Sequence, residues 1–355
     1  MDAPPGTPLR LLDRDGTEIG WGLADEGPIA VRVLGRGPAP DASLARVVAE
    51  RIARADAFRW RLAPPETDCW RVVGGAGDAL PGLVVDRYAD LAVLRVYATA
   101  WEPHLDAVRD ALVALGWVTT VYRRLGVRRV DGREGGEVIH GPPPAASIVV
   151  REHGMRLLVR PEVGQKTGMF LDQREHRALV RGWSAGRRVA NLFAYNGGFS
   201  VAAALGGAAE VTTVDVAPEA VEDARENFRL NGLDPSAHVF EVADVFQWTP
   251  RGCYDLLVVD PPSLARGQRS DAIAAKAYRS LHRRLGPAVT RDGLLATSSC
   301  TARLRMDAWR TAVREGLLAC GDWSWHWLSA EPPDHPVALA HDEGRYLKFA
   351  LLRRL

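Results

Sequence analysis

The sequence predicts an α/β protein: a Rossmann-like sheet of seven strands, mostly parallel, preceded by a small α+β domain and a short β-module. The first observation behind this is the stretch from Val189 to Asp215. There an apolar run (Arg188 to Phe193) breaks at Gly197-Gly198, continues as a small-residue helix (Ser200 to Leu205) and meets a second β-run closed by an acid. That order is half of a nucleotide-binding βαβ unit. The second observation is the regular alternation of apolar runs and amphipathic stretches from there to the C-terminus, which implies parallel strands covered by helices on both faces. The third is size and composition: 355 residues, 47% of them hydrophobic, suffice for a full core and two or three domains.

Composition also narrows the function classes. A net charge of +1 gives no bulk attraction to nucleic acid, so such a partner must be met by a local basic patch. No apolar run approaches the roughly 20 residues of a membrane span, and the N-terminus, with Asp2 and several prolines, lacks a basic-then-apolar signal. A cytoplasmic protein without a membrane partner is expected. Cys69, Cys253, Cys300 and Cys320 show neither a C-x-x-C pair nor zinc-ligand spacing, so neither a metal site nor a structural disulfide is expected. Only Lys166, Lys276 and Lys348 among the 45 basic residues are lysines. A lysine kept against that bias is either a chance survivor or a compact point charge that arginine cannot replace.

The elements follow in order. Alternating runs on either side of Asp15-Gly16 predict a hairpin, and Ile29 to Leu34 a third strand, in a module too short to be stable alone. Ser43 predicts the cap of a helix from Leu44 to about Leu62. Its inner face is Leu44, Val47, Val48, Ile52, Ala55 and Phe58, with Arg46, Arg51, Arg54, Arg59 and Arg61 largely outside. That arginine-rich face suits either phosphates or plain solvent. After Pro64-Pro65 come strands at Trp70 to Val73, Leu83 to Tyr88 and Leu91 to Tyr97, a helix from Pro103 to Leu115 and a strand from Thr119 to Arg123. A hairpin is read at Ser147 to Glu152 and Met155 to Pro161, turning at His153-Gly154. Val163 to Arg174 then carries polar and apolar residues in no period, as a binding loop does.

A helix from Arg174 to Trp183 leads into the sheet, whose strands are read at Arg188 to Phe193, Glu210 to Val214, His238 to Val242, Leu256 to Asp260, Leu294 to Ser298, Ser324 to Leu328 and Leu347 to Leu352. Pro218 opens the helix after Asp215 and Gly232 closes it.

Five stations carry chemistry. Gly197 and Gly198 permit a tight turn and let backbone approach a ligand, and the next helix presents unpaired N–H groups. Asp215, ending the second strand, suits both hydroxyls of a ribose. Asp244, after the third strand, suits either an adenine amino group or a helix N-cap. Asp260-Pro261-Pro262-Ser263 ends the fourth strand with two residues that lack N–H donors, leaving carbonyls able to orient a planar amino-bearing ring. Cys300 ends the fifth strand on the same carboxyl edge, where open α/β sheets bind ligands.

Together these stations resemble class I S-adenosylmethionine-dependent methyltransferases, and more narrowly the large-subunit ribosomal RNA (cytosine-5) methyltransferases. The resemblance rests on D-A-L-P-G-L-V-V-D-R-Y (Asp78 to Tyr88), G-Q-K-T-G-M-F-L-D-Q-R (Gly164 to Arg174), N-L-F-A-Y-N-G-G-F (Asn191 to Phe199), V-D-P-P-S, S-S-C-T, and D-H-P with E-G-R-Y-L-K near the end. It implies a truncated PUA-like β-module (1–40), a helical linker (41–65), a central α+β domain (66–162) and a methyltransferase domain (163–355). It implies S-adenosylmethionine as cofactor, bound by Gln173, Arg174, Phe193, Tyr195, Asn196, Gly197, Gly198, Asp215, Asp244, Asp260 and Pro261. Cys300 falls at the family's nucleophile, with Asp260 beside it, and Lys166, Pro261 and Pro262 fall to the substrate. The module lacks the family's opening PUA strands, and Asn196 stands where threonine is common.

The implied chemistry has an independent rationale. Carbon 5 of cytosine is a poor nucleophile until a thiolate adds at carbon 6. The expectation is therefore 5-methylcytosine in ribosomal RNA, formed by a monomer or homodimer. The rivals are an exocyclic-amine methyltransferase on RNA, which needs no thiol, a nucleotide-dependent oxidoreductase, and a non-catalytic protein that binds S-adenosylmethionine and RNA.

Overall fold

The computed structural model describes residues 3–126, 130, 134–264, 271–341 and 344–355. Asp2 of the expected non-signal terminus and Glu343 of the E-G-R-Y-L-K motif lie outside the described residues. The chain divides into two compact units, one comprising 1–154, 159–171 and 333–342, the other 155–158, 172–332 and 343–355. No described helix is long and apolar enough to cross a membrane.

The first unit opens with β1 (Pro8–Leu12), β2 (Glu18–Ala24) and β3 (Val31–Arg36), an antiparallel sheet in that order, as read from the sequence. The small β-module fits a PUA-like architecture. Its first turn is locked by the Asp13 carboxylate, which accepts from the N–H groups of Asp15 and Thr17, while Gly16 takes φ 83°. Helix α1 (Leu44–Leu62) starts at Ser43, whose hydroxyl accepts from Arg46 N at 3.3 Å.

The inner face of α1 differs from the sequence reading. Phe58 is 52% exposed, whereas Arg59 is only 2% exposed and forms a two-pronged ion pair with Asp78, each bond 2.7 Å. The spacing Val48, Ile52, Ala55, Arg59 places the arginine on the buried stripe. A local partner makes its burial tolerable.

The rest of this unit is a five-stranded sheet, β4 (Cys69–Gly74), β5 (Leu83–Tyr88), β6 (Leu91–Val96), β7 (Thr120–Arg124) and β8 (Gly136–His140), ordered as numbered. The sequence reading did not include β8, whose residues are exposed or half-buried and lack a strong apolar alternation. The helix expected from Pro103 is shorter: a 3-10 turn covers Thr99–His104, and α2 runs over Leu105–Val113. Strands β9 (Ile148–Glu152) and β10 (Met155–Val159) flank His153 and Gly154, both at positive φ.

The second unit holds α3 (Arg174–Gly182), β11 (Arg188–Leu192), α4 (Gly198–Leu205), β12 (Glu210–Asp215), α5 (Pro218–Leu230), β13 (Val239–Val242), β14 (Tyr254–Val259), α6 (Asp271–Leu285), β15 (Val289–Ser299), α7 (Met306–Leu318), β16 (Trp323–Ser329) and β17 (Lys348–Arg354). These strands form one seven-stranded sheet in the order β13-β12-β11-β14-β15-β17-β16. Strands β11 to β15 pair in parallel, and β17 runs antiparallel between β15 and β16. The central strands are apolar because they are covered on both faces: Leu192, Val214, Leu257, Val259, Tyr278 and Trp309 are each no more than 1% exposed.

One feature of the topology locates the ligand. The chain moves outward from β11 through β12 to β13, then crosses back so that β14 lies on the other side of β11. The carboxyl ends of β11 and β14 therefore border the switch point, where adjacent loops diverge and leave a crevice.

Candidate cofactor and substrate site

Five strand ends of the second unit supply the site residues: Phe193 to Gly198 after β11, Asp215 ending β12, Asp244 after β13, Asp260 to Pro262 after β14 and Cys300 after β15. All stand at carboxyl ends, as the sequence predicts.

The glycine turn takes the tight left-handed form expected at Gly197, and both glycines are closely packed. Gly197 has φ 75°, and a Cβ there would come 2.6 Å from the Cβ of Ala224 on α5. A Cβ at Gly198 would meet the Arg177 side chain at 3.0 Å. These glycines are thus required by close packing and a left-handed backbone. Two neighbouring non-glycine residues, Phe193 and Tyr195, also take left-handed backbones, at φ 59° and 49°. Non-glycine residues in this region are strained and persist only where the surroundings enforce them.

Those surroundings are specific. Asp215 accepts from Tyr195 N at 2.8 Å and from Ala217 N at 3.0 Å, tying both neighbouring loops to the β12 end. Asn227, fully buried on α5, donates to Asn196 O at 2.7 Å and accepts from Leu158 N at 2.7 Å. The Asn196 side chain donates to Leu158 O at 3.1 Å. Beneath the turn, Ser200 accepts from Asn191 at 2.9 Å and from Thr213 at 2.8 Å, pinning α4 to two strands. The only sequence signal for Asn227 was its place beside Ala224 and Phe228 on the inner helix face.

The start of α4 has no side-chain cap among the described residues. Its first N–H groups are oriented toward the crevice end, an arrangement that favours an anion.

Asp244 takes part in its own turn: one oxygen accepts from Phe246 N at 2.9 Å and the other from the Gln247 amide at 3.1 Å. The cap-like reading of this residue thus describes its contacts. Phe246, 46% exposed, meets Phe193 edge to face at 5.4 Å, so two aromatic rings border the crevice.

Asp260 is held from behind. Gln173 donates through its amide nitrogen to Asp260 at 3.1 Å and to Ser298 Oγ at 3.3 Å, and Ser298 donates to the same Asp260 oxygen. His176 donates from Nδ1 to the Gln173 carbonyl oxygen at 2.5 Å and accepts at Nε2 from Ser329 at 2.8 Å. Burial pushes the His176 pKa down to about 3, so the ring is neutral and this tautomer fits. Both amide hydrogens of Gln173 are thereby committed to the protein. Arg174, 1% exposed, pairs with Glu175 at 2.9 Å. Gln173 and Arg174 therefore stand behind the crevice wall.

Pro261 is buried and Pro262 exposed, while Asp260 and Cys300 are half-buried. Since β14 and β15 are paired neighbours, with Val259 opposite Thr297, the loops carrying Asp260 and Cys300 leave the sheet side by side. Lys166 belongs to the first unit, where its ammonium lies 4.4 Å from the Phe170 ring centroid.

A sheet of this order, with an acid after the second strand and an uncapped helix after the first, has the architecture of a Rossmann-like methyltransferase. The sequence model of the S-adenosylmethionine-dependent methyltransferase family matches residues 75–307, and the chain belongs to that family. It is similar, at 38% identity over 99% of its length and 90% of the relative's, to a ribosomal RNA large subunit methyltransferase of Deinococcus radiodurans. It is 32% identical to ribosomal RNA large subunit methyltransferase I of Escherichia coli, over 97% of this chain and 89% of that one. Among solved structures, SMU.776, assigned as a methyltransferase and complexed with SAH, shares the fold: TM-score 0.86 and 24% identity, covering 99% of this chain and 92% of that one. S-adenosylmethionine is the cofactor of this family, and the strand-end acid and uncapped helix fit its ribose and its carboxylate.

Proposed function

We propose that the protein forms 5-methylcytosine in large-subunit ribosomal RNA through a covalent adduct on Cys300, acting in the cytoplasm. The observation that carries this reading is the half-buried thiol at the carboxyl end of β15, next to the Asp260 loop, on the edge that holds the cofactor cradle.

Under this reading Asp215 receives the ribose hydroxyls, Phe193 and Asp244 border the adenine, and Tyr195, Asn196, Gly197 and Gly198 shape the turn around the remainder. Gln173 and Arg174 support that wall from behind. When bound, the cofactor supplies an electrophilic methyl group on a sulfonium. Cys300 adds as a thiolate to carbon 6 of the base, and the ring electrons concentrate on carbon 5. Asp260 and the Pro261 carbonyl hold the ring's N3 and amino group, with Pro262 and Lys166 also assigned to the RNA. Carbon 5 would then take the methyl group, the sulfonium leaving as a neutral thioether, and loss of the carbon 5 proton to a base returns the C–H electron pair to the ring and expels Cys300 as a thiolate. Unstacking the base costs a few kcal/mol, which favours a loop or a partly unfolded RNA. The module over 1–40, the helix over 41–65 and the domain over 66–162 are read as the RNA-facing part, and the chain from 163 as the catalytic one.

Cys300→Ala tests the proposal. Methyl transfer to ribosomal RNA should fall at least a thousandfold while S-adenosylhomocysteine binding by calorimetry stays within about twofold. Retained turnover with the methyl group on an exocyclic nitrogen, found by nucleoside mass spectrometry, would replace the cytosine-5 reading with the amine reading.

A further inference from the structure

Lys348 has no part in the chemistry so far, yet its position is unusual for a charged group. It is 2% exposed, the first residue of β17, and lies opposite Ser299 in the β15–β17 ladder. Its Nζ donates to Thr301 O at 2.7 Å and to Tyr346 O at 2.9 Å. The ammonium is therefore anchored to the peptide that follows Cys300, with Ser299 and Thr301 bracketing the thiol on either side.

Burying an ammonium is costly unless something compensates. Two carbonyl acceptors do part of that, and the Glu331 carboxylate, held by the N–H groups of Tyr346 and Leu347 at 2.6 and 2.8 Å, adds opposite charge. Burial still pushes the Lys348 pKa down to about 8, and the charges of Glu331 and then Cys300 oppose that shift. Electrostatic coupling is reciprocal: whatever stabilisation the thiolate gives the ammonium, the ammonium gives the thiolate.

Asp260, Tyr278 and His282 bring no positive charge to this edge of the sheet. Asp260 places a carboxylate on the adjoining loop, and like charges disfavour one another. Tyr278, near Thr301 Oγ1 at 3.4 Å, has its pKa pushed well up by burial and stays neutral. His282, buried against Thr297 and the Tyr278 carbonyl, is also neutral, its pKa pushed down to about 4. Lys348 is thus a cation that the β15–β17 pairing brings beside the Cys300 peptide.

We infer that Lys348 is a positioning residue whose buried ammonium holds Cys300 as a thiolate, the thiol proton passing to water before the base is attacked. The choice of lysine in a chain with only three agrees with a need for a compact charge in a narrow space. The inference rests on the cytosine reading of Cys300, and its test does not depend on methyl transfer.

The full-length protein is treated with iodoacetamide from pH 5.5 to 9.5, and alkylation at Cys300 is read by peptide mass spectrometry, with exposed Cys253 as internal reference. Cys300 in the unaltered protein should ionise at least one pH unit below the ordinary thiol value of about 8.5. Lys348→Met should raise that midpoint by at least a unit and slow Cys300 alkylation about tenfold at pH 7, leaving Cys253 unchanged, and Lys348→Arg should restore part of the rate. A midpoint in the unaltered protein at or above the ordinary value overturns the inference without recourse to any variant. So does an unmoved midpoint in a Lys348→Met protein that still binds S-adenosylhomocysteine. Should the ion pair be found while Cys300→Ala still methylates RNA, the cytosine mechanism fails and the pair stands.

Discussion

Asp215 receives N–H bonds from both sides of the cradle, yet each carboxylate oxygen accepts only one of them, leaving a second lone pair on each for a ribose hydroxyl. Asp215→Ala would remove the proposed ribose acceptor and the bond that holds Tyr195 N in its left-handed conformation. Hydrogen bonds to a charged group are worth about 1.5–3 kcal/mol, so S-adenosylhomocysteine should bind roughly 10- to 100-fold more weakly, measured by calorimetry. An affinity unchanged within twofold would place the ribose elsewhere. Asp215, Asp260 and Cys300 were legible in the sequence because a polar residue ending an apolar run marks the ligand edge of a parallel sheet. The left-handed backbones of Phe193 and Tyr195 were not, since nothing in their side chains announces such a φ. The packing of the two glycines against Ala224 and Arg177 was not legible either, because it depends on residues on other elements.

At the scale of elements, α1 shows where periodicity informs and where chemistry misleads. The stripe of Val48, Ile52, Ala55 and Arg59 was present in the spacing, and a charge-based reading turned its last member outward. Asp78, which decides the matter, lies 19 residues further along, just past β4, and also accepts from Gly74 N at 2.6 Å. It opens the D-A-L-P-G-L motif, and the D-H-P segment meets the same region: Asp334 accepts from Arg71 N at 3.0 Å, and a Cβ at Gly77 would come 2.2 Å from Pro336 O. These two motifs are therefore parts of the first unit's packing. Arg59→Ala should destabilise the protein by about 3–5 kcal/mol in urea unfolding, because it leaves the largely buried Asp78 carboxylate without its cation. Arg59→Met with Asp78→Asn should recover most of that loss. A cost under 1 kcal/mol for the single change would show that the pair is dispensable. The sheet itself was legible almost strand by strand, because buried parallel strands are apolar runs; β8, poor in apolar residues, was not.

For the molecule as a whole, the second unit buries two histidines within the framework that positions the catalytic edge. His176 stacks on Phe349 at 4.0 Å and supports Gln173, and His282 joins α6 to β15 through Thr297 at 2.8 Å. Burial lowers their pKa values to about 3 and about 4, below the 6.5 of a free imidazole. Above pH 6.5 both folded and unfolded chains hold them neutral, and they impose no pH dependence. Below that value the unfolded chain takes up protons that the folded chain refuses, so stability falls with pH until the folded-state values are reached. Each histidine then contributes a slope of about 1.4 kcal/mol per pH unit. Urea unfolding at pH 7.5, 6.5, 5.5 and 5.0 should accordingly show little change across the first interval and a growing loss across the others. His282→Gln, which keeps a donor and an acceptor at the site, should lower the slope below pH 6 by about 1.4 kcal/mol per unit whatever it does to stability at pH 7.5. A slope left intact by this change would mean that His282 is charged in the folded protein, and the bonds drawn for it to Thr297 and the Tyr278 carbonyl would then need both nitrogens to donate.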